Sequence, residues 1–318
     1  MQKMKKLRAA VIGVGYLGNF HGQKYATIDS VELVAVSDSD QSRCQEIASA
    51  LGVEAVFDYR ELVGRVDVVS IVVPTFMHHE VARFFLENGI HVLLEKPITK
   101  TVEEATDLIS LAAAKNLQFQ VGHLERFNPA LDSVRSIIKK PGFIDATRVA
   151  PYKPRGTDVS IVLDLMVHDI DIVSTIVGSE IISVSATGAS VYSTTPDIAN
   201  ARIEYKNGVV ANLTASRISL HSERTMRFFQ EDAYISVDLQ NRKASVYRKG
   251  ASVDDHSFEE IAVEPKDQIL AEIEAFIDSV RTGNEPVVTG RDGLNALKTA
   301  LLIEAKIAEK CALLRAGV

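Results

Sequence analysis

Residues 11–21 read VIGVGYLGNFH, and the fold of the first half of the chain turns on them. Gly13, Gly15 and Gly18 stand at GxGxxG spacing. Glycines alone are unspecific, since any turn uses them. Here, however, LRAAVIGVG (7–15) reads as a strand and YLGNFHGQKYATI (16–28) as a helix, which is the context a phosphate-binding turn needs. Gly13 then permits the tight turn, Gly15 lets a pyrophosphate approach the backbone, and Gly18 allows close helix–strand packing. The helix N-terminus offers amide donors and a partial positive charge. Tyr16 and Leu17, inside the motif, are candidate cofactor contacts with the glycines. Asp38 ends the next strand, VELVAVSD (31–38), where a carboxylate accepts hydrogen bonds from ribose hydroxyls. It would repel a 2′-phosphate, so NAD is expected ahead of NADP, with Arg43 as the counter-argument. An S-adenosylmethionine site shares the Gly-rich turn and the acidic second strand, but Lys96, Asp164 and His168 argue against one.

Outward from this turn, short apolar runs alternate with helical patterns as far as LQFQVGH (117–123). Strands rich in Val, Ile and Leu with helices between them predict a doubly wound parallel sheet, an α/β Rossmann domain over residues 1–122. After His123 the rhythm changes. ERFNPALDSVRSIIKK (125–140) reads as a helix, and FIDATRVAP (143–151) opens a strand-rich half. Further strands are expected at 181–192, 199–216, 225–241 and 243–250, with KNG (206–208) as a hairpin turn. Two amphipathic helices, near 266–282 and 291–313, close the chain. Residues 123–318 are therefore expected to form an α+β domain with a large, mainly antiparallel, open-faced sheet.

Composition sets limits on function. The chain has 318 residues, 46% hydrophobic and 24% charged, and a net charge of -7. That is ordinary for a globular protein with two cores, and it gives no general attraction to nucleic acid or to an anionic membrane. The opening MQKMKKLR lacks the h-region and cleavage site of a signal peptide and reads as a solvated lead-in to the first strand. No apolar run has the length of a spanning helix. Cys44 and Cys311 form no metal-binding or redox pattern, so a cytoplasmic setting and no metal site are expected.

Ligands of a doubly wound sheet sit beyond the carboxyl ends of its strands. Two such ends carry notable residues, VVPTFMHH (72–79) and LLEKPI (93–98). Pro74, Thr75, His78 and Glu95 are candidate cofactor contacts there. Lys96, between a buried strand and Pro97, is a candidate for both cofactor contact and catalysis, and a cis bond before Pro97 is admissible. In SIVLDLMVHDIDIVSTIVG (160–178), Asp164 and His168 are spaced i, i+4 on one helix face amid apolar residues. An imidazole near its reference pKa of about 6.5 suits a general base. A buried, satisfied histidine is the plainer reading of His168, and a shared face with Asp164 weighs against it. Asp169 reads as solvated, and Asp171 has no assigned role.

With GVGYLG, EKP and DLMVHDID in this order, nearly the whole chain resembles the glucose-fructose oxidoreductase, inositol dehydrogenase and MocA-type oxidoreductase family. The resemblance implies a sugar dehydrogenase with Lys96, Asp164 and His168 as its catalytic set, assembled as a homodimer or homotetramer through the second sheet. GHLERFNPAL (122–131) and APYKPRGTDVSIVLDLMVHDIDI (150–172) are similar to its UDP-N-acetylglucosamine 3-dehydrogenase-like branch. That likeness makes His123, Arg126, Asn128, Lys153 and Arg155 candidate substrate residues, and a nucleotide-sugar diphosphate does need cations. The alternatives are a dehydrogenase of a free polyol or aldose such as inositol, and an NAD(H)-binding regulatory protein without chemistry.

Overall fold

The computed structural model describes residues 5–152, 159–250 and 255–315. Contacts divide the chain into two units, residues 1–124 with 267–294, and residues 125–266 with 295–318.

The first unit is built on a parallel sheet in the order β3-β2-β1-β4-β5-β6. Its strands are β1 (Leu7–Ile12), β2 (Val31–Ser37), β3 (Glu54–Val56), β4 (Val68–Ile71), β5 (His91–Glu95) and β6 (Phe119–Gly122). The order reverses between β1 and β4, the position where doubly wound sheets bind nucleotides. Central strands are buried on both faces, which is why Val68–Ile71 is buried throughout and nearly all apolar, Ser70 being paired with the Tyr25 hydroxyl. Helices α1 (Tyr16–Tyr25), α2 (Gln41–Leu51), α3 (His78–Glu87) and α4 (Val102–Ala114) connect them. α4 starts at a capping box, in which Thr101 and Glu104 satisfy each other's backbone donors.

The division expected at 122/123 needs correction. The last stretch of this unit comes from far along the chain, where α7 (Gln268–Thr282) places Ile273, Phe276 and Ile277 in one core with Ala9, Val11, Tyr25 and Val31. Lys24 pairs with Asp267 at 2.8 Å, and Arg281 donates to the Ser30 carbonyl at 2.6 Å. An amphipathic helix announces that it has an apolar face, but not whose core will cover it.

The second unit carries a sheet in the order β14-β13-β12-β11-β7-β10-β9-β8. Its strands are β7 (Phe143–Val149), β8 (Ile181–Ala189), β9 (Ile198–Tyr205), β10 (Val210–Ser216), β11 (Glu223–Gln230), β12 (Ala233–Asp238), β13 (Lys243–Lys249) and β14 (His256–Ile261). Among the described residues, only the β7–β10 pair of this sheet is parallel. One face packs Ile144, Phe228, Ile235 and Val246 into the core with α6 (Val167–Val177). The other presents Phe143, Phe229, Tyr234, Tyr247 and Phe258 in register, each ring 4.6–5.6 Å from the next. Period-two alternation makes this two-sided character unavoidable.

Two local expectations change. The helix expected over 125–140 is short, α5 (Pro129–Val134), because Asn128 caps it and Pro129 opens it. β14 is an additional strand, hidden in the sequence because its polar residues face solvent on a sheet edge. The final helix is α8 (Gly290–Arg315). Among the described residues no helix is long and apolar enough to cross a membrane.

Candidate active site

The glycine turn follows β1 directly. Gly13 has φ +85°, and a Cβ there would meet the Val72 carbonyl oxygen at 2.6 Å. A Cβ on Gly18 would lie 1.9 Å from the Gly13 carbonyl oxygen, so only glycine lets α1 start this close to β1. Gly15 is different, with nothing within 4 Å of where its Cβ would be. That open space at a helix N-terminus is what a pyrophosphate needs, so these residues fit a dinucleotide. Tyr16 is exposed, edge-on to Phe20 at 5.2 Å, and Leu17 is half-buried.

Asp38 is fixed at the end of β2. Its Oδ2 accepts from the Val14 N–H at 2.9 Å and its Oδ1 from the Asp40 N–H at 2.9 Å. The carboxylate thereby ties the glycine turn to the second strand and keeps acceptor capacity for a ribose. Arg43 stands 3.8 Å from it, with its Nη2 on Asp40 at 2.7 Å. Gly13, Gly15, Asp38, Arg43 and Pro74 line one cleft of about 610 Å³, within the range of small-ligand sites.

Pro74 leads into the turn Thr75–Met77. His78, expected as a cofactor contact, needs correction. It is buried, and its two ring nitrogens lie 2.8 Å from the Pro97 carbonyl and 2.9 Å from that of Val73. Burial pushes its imidazole pKa down against the pull of these carbonyls. His78 therefore sits between two turns, one of which contains Lys96, and its single N–H can donate to one of the two carbonyls. That lysine is half-buried immediately after β5, the Lys96–Pro97 bond is cis, and the Lys96 N–H donates to the Glu95 carboxylate at 3.2 Å. His123 is buried just past the end of β6.

In the second unit Asp164 sits inside a π-helical turn, Val162–Met166, that runs straight into α6. Such turns break the i→i−4 ladder and recur at functional sites. His168 is the second residue of α6, and both side chains are half-buried. Met166, Val167 and Ile170 beside them are buried in the core.

The neighbouring acids depart from the sequence-based expectation. Asp169 is buried, not solvated, and accepts from Arg148 Nε at 3.0 Å and Nη2 at 2.8 Å. Asp171 accepts from Arg126 Nε at 2.6 Å and Nη2 at 2.7 Å, which gives it the role it lacked. Both are bidentate, buried pairs. Arg126, a candidate substrate residue, is thus committed to α6. Asn128, a candidate likewise, is buried, donating to Glu125 at 2.9 Å and to the Leu239 carbonyl at 3.0 Å while capping α5. Lys153 and Arg155 lie outside the described residues.

Arg148 and Glu125 were not singled out by sequence. Arg148 Nη1 donates to Glu125 Oε1 at 2.9 Å, so one guanidinium serves two acids. Burial raises both carboxyl pKa values. For Glu125 the Arg148 charge, the Asn128 amide and nearby Arg224 outweigh it and leave the group below its usual value. Asp169 stays raised, because burial there outweighs Arg148 and Glu125 adds repulsion. The signal was an arginine at an inward position of FIDATRV, which had to have a partner.

Comparison with known proteins places the chain in a family. Residues 7–123 match the model described as oxidoreductase family, NAD-binding Rossmann fold, and residues 148–311 match its C-terminal alpha/beta domain. UDP-N-acetylglucosamine 3-dehydrogenase of Acidithiobacillus ferrooxidans is 37% identical over 96% of this chain and 98% of its own. A solved structure of that enzyme superposes with TM-score 0.91 at 36% identity, over 96% of this chain and 98% of its own. The scyllo-inositol 2-dehydrogenase (NAD(+)) of Bacillus subtilis is 29% identical over 93% of this chain and 92% of its own. The chain belongs to the glucose-fructose oxidoreductase, inositol dehydrogenase and MocA family of oxidoreductases.

Proposed function

We propose that the protein is an NAD-dependent dehydrogenase that oxidises the C3 hydroxyl of UDP-N-acetylglucosamine to a ketone. The observation that carries this reading is the 37% identity, end to end, with an enzyme named for that reaction. The site residues supply the chemistry. His168 takes the hydroxyl proton as general base, Lys96 hydrogen-bonds the same oxygen and stabilises the charge that develops on it, and Asp164 orients the sugar. A bound nicotinamide would supply the hydride acceptor. The products are the 3-keto sugar, NADH and a proton. Gly13, Gly15, Gly18 and Asp38 hold the dinucleotide, and Asp38 favours NAD over NADP. Lys153 and Arg155 are the proposed diphosphate contacts.

We propose further that copies associate as a homodimer or homotetramer through the second sheet. Its aromatic row is unusually apolar for a free surface, with Phe229, Tyr247 and Phe258 all exposed in the single chain. Light scattering should give a mass of two or four chains, and a monomer at working concentration would refute this.

The function is tested by following NADH absorbance with UDP-N-acetylglucosamine, other UDP-sugars and free inositols, each with NAD or NADP. Including 2-oxoglutarate shows whether the cofactor stays bound and is recycled. The expected result is turnover with NAD and UDP-N-acetylglucosamine. Oxidation of inositols alone would replace the substrate assignment. Cofactor binding with no oxidation of any sugar would replace the catalytic one.

A further inference from the structure

The core of the first unit holds a cluster of ionisable side chains that the proposed steps leave unused. His21 on α1, Glu95 at the end of β5 and Glu272 on α7 each bring one polar atom within 4.8 Å of the others. His21 and Glu272 are fully buried, and Glu95 is 8% exposed. His21 Nε2 lies 3.4 Å from Glu95 Oε1. Neither oxygen of Glu272 and neither nitrogen of His21 makes a hydrogen bond among the described residues. β6 contributes Gln120, whose amide donates to the Glu272 carbonyl at 3.0 Å, and Gly122, where a side chain would collide with the Glu95 carboxylate. Tyr25 on α1 faces the cluster but spends its hydroxyl on Ser70 of β4 at 2.9 Å. His78 of α3 also faces Glu95.

Two carboxylates this close in a dry interior cannot both keep their charge cheaply. A protonated carboxyl, by contrast, gains a donor that a neighbouring carboxylate accepts. Burial and the Glu95 charge both push Glu272 well above the usual carboxylate range. A metal ion would also neutralise this donor set. A ligating histidine, though, anchors its second nitrogen on an acceptor, and His21 Nδ1 has none among the described residues.

We propose that Glu272, as a neutral acid, acts with His21 as a pair of positioning residues that hold a single negative charge on Glu95 and so fix the turn carrying Lys96. The link runs through the bond from the Lys96 N–H to Glu95, and the inference rests on the catalytic reading of Lys96. α7 thereby reports into the reaction, although it belongs to no strand end and no glycine turn.

The test compares Glu272→Gln with Glu272→Leu in the full chain. Glutamine copies the shape and donor of a neutral acid, so it should keep kcat near that of the parent. Leucine fills the site without a donor, so it should fold with equal or higher thermal stability while kcat falls roughly 10- to 100-fold through misplacement of the Lys96 turn. The infrared carbonyl band of a protonated carboxylic acid should be present in the parent and absent from Glu272→Gln, whatever the role of Lys96. A missing band in the parent would overturn the proposal, as would glutamine failing as badly as leucine, leucine retaining full activity, or one bound metal per chain that Glu272→Gln loses. A failure of the catalytic reading of Lys96 would show separately, as full turnover by Lys96→Met with the infrared result unchanged.

Discussion

Replacing His168 with alanine should lower kcat by roughly 10²- to 10⁴-fold, the usual contribution of a positioned general base, and leave NADH affinity within error. The imidazole is half-buried at the start of α6, flanked by Met166, Val167 and Ile170 in the core. Asp169 and Asp171 pin the same turn through Arg148 and Arg126, so the variant has no reason to refold locally. None of the residues proposed to hold the dinucleotide is touched by the change. Two further readouts separate lost base chemistry from lost structure. Added imidazole should restore part of the rate, and the thermal unfolding midpoint should match that of the parent. Full activity in His168→Ala would remove this residue from the mechanism.

Arg148→Ala should cost about 3–5 kcal/mol of stability in chemical denaturation, the range for removing one partner of a buried ion pair. Arg148 is 3% exposed and bonds two acids, so its loss leaves Asp169 and Glu125 buried together with like charge. Arg224, 3.5 Å from Glu125, is half in solvent, so its charge is too screened to replace Arg148. The penalty belongs to stranded charge, not to a lost contact. A triple variant, Arg148→Met with Asp169→Leu and Glu125→Gln, should therefore recover most of it. Its kcat should stay depressed, because α6 would keep only one of its two buried arginine pairs, Arg126 with Asp171. A single variant as stable as the parent would show that the two acids take up protons at little cost.

Much of this was legible in residue order. Val-rich runs separated by helical patterns gave away the parallel sheet, because a strand buried on both faces has no polar period. The glycine turn was legible because each glycine answers a different steric demand, and the structure returns those demands as two collisions and one open space. Pairing was not legible. Arg126 looked like a phosphate ligand because a guanidinium suits phosphate and carboxylate equally, and only the fold brings Asp171 to it. His78 looked like a cofactor contact because it lies near a strand end, whereas both its nitrogens face the backbone. Asp169 looked solvated because helix periodicity places it off the polar stripe, and a buried arginine from a strand 21 residues earlier reverses that. The break after Asn128 was written in the sequence as Asn-Pro, a cap followed by a helix-opening proline.

The return of α7 to the first unit has a consequence for how the protein is made. Residues 125–266 leave the ribosome before that helix does, and at 5–20 residues per second this takes roughly 7–30 s. Throughout that interval Val11, Tyr25 and Val31 lack the cover that Ile273, Phe276 and Ile277 later supply. The half begun first thus stays unfinished until most of the other half has been made. A nascent chain halted after residue 266 carries an open apolar face, the kind of surface that chaperones hold and proteases find.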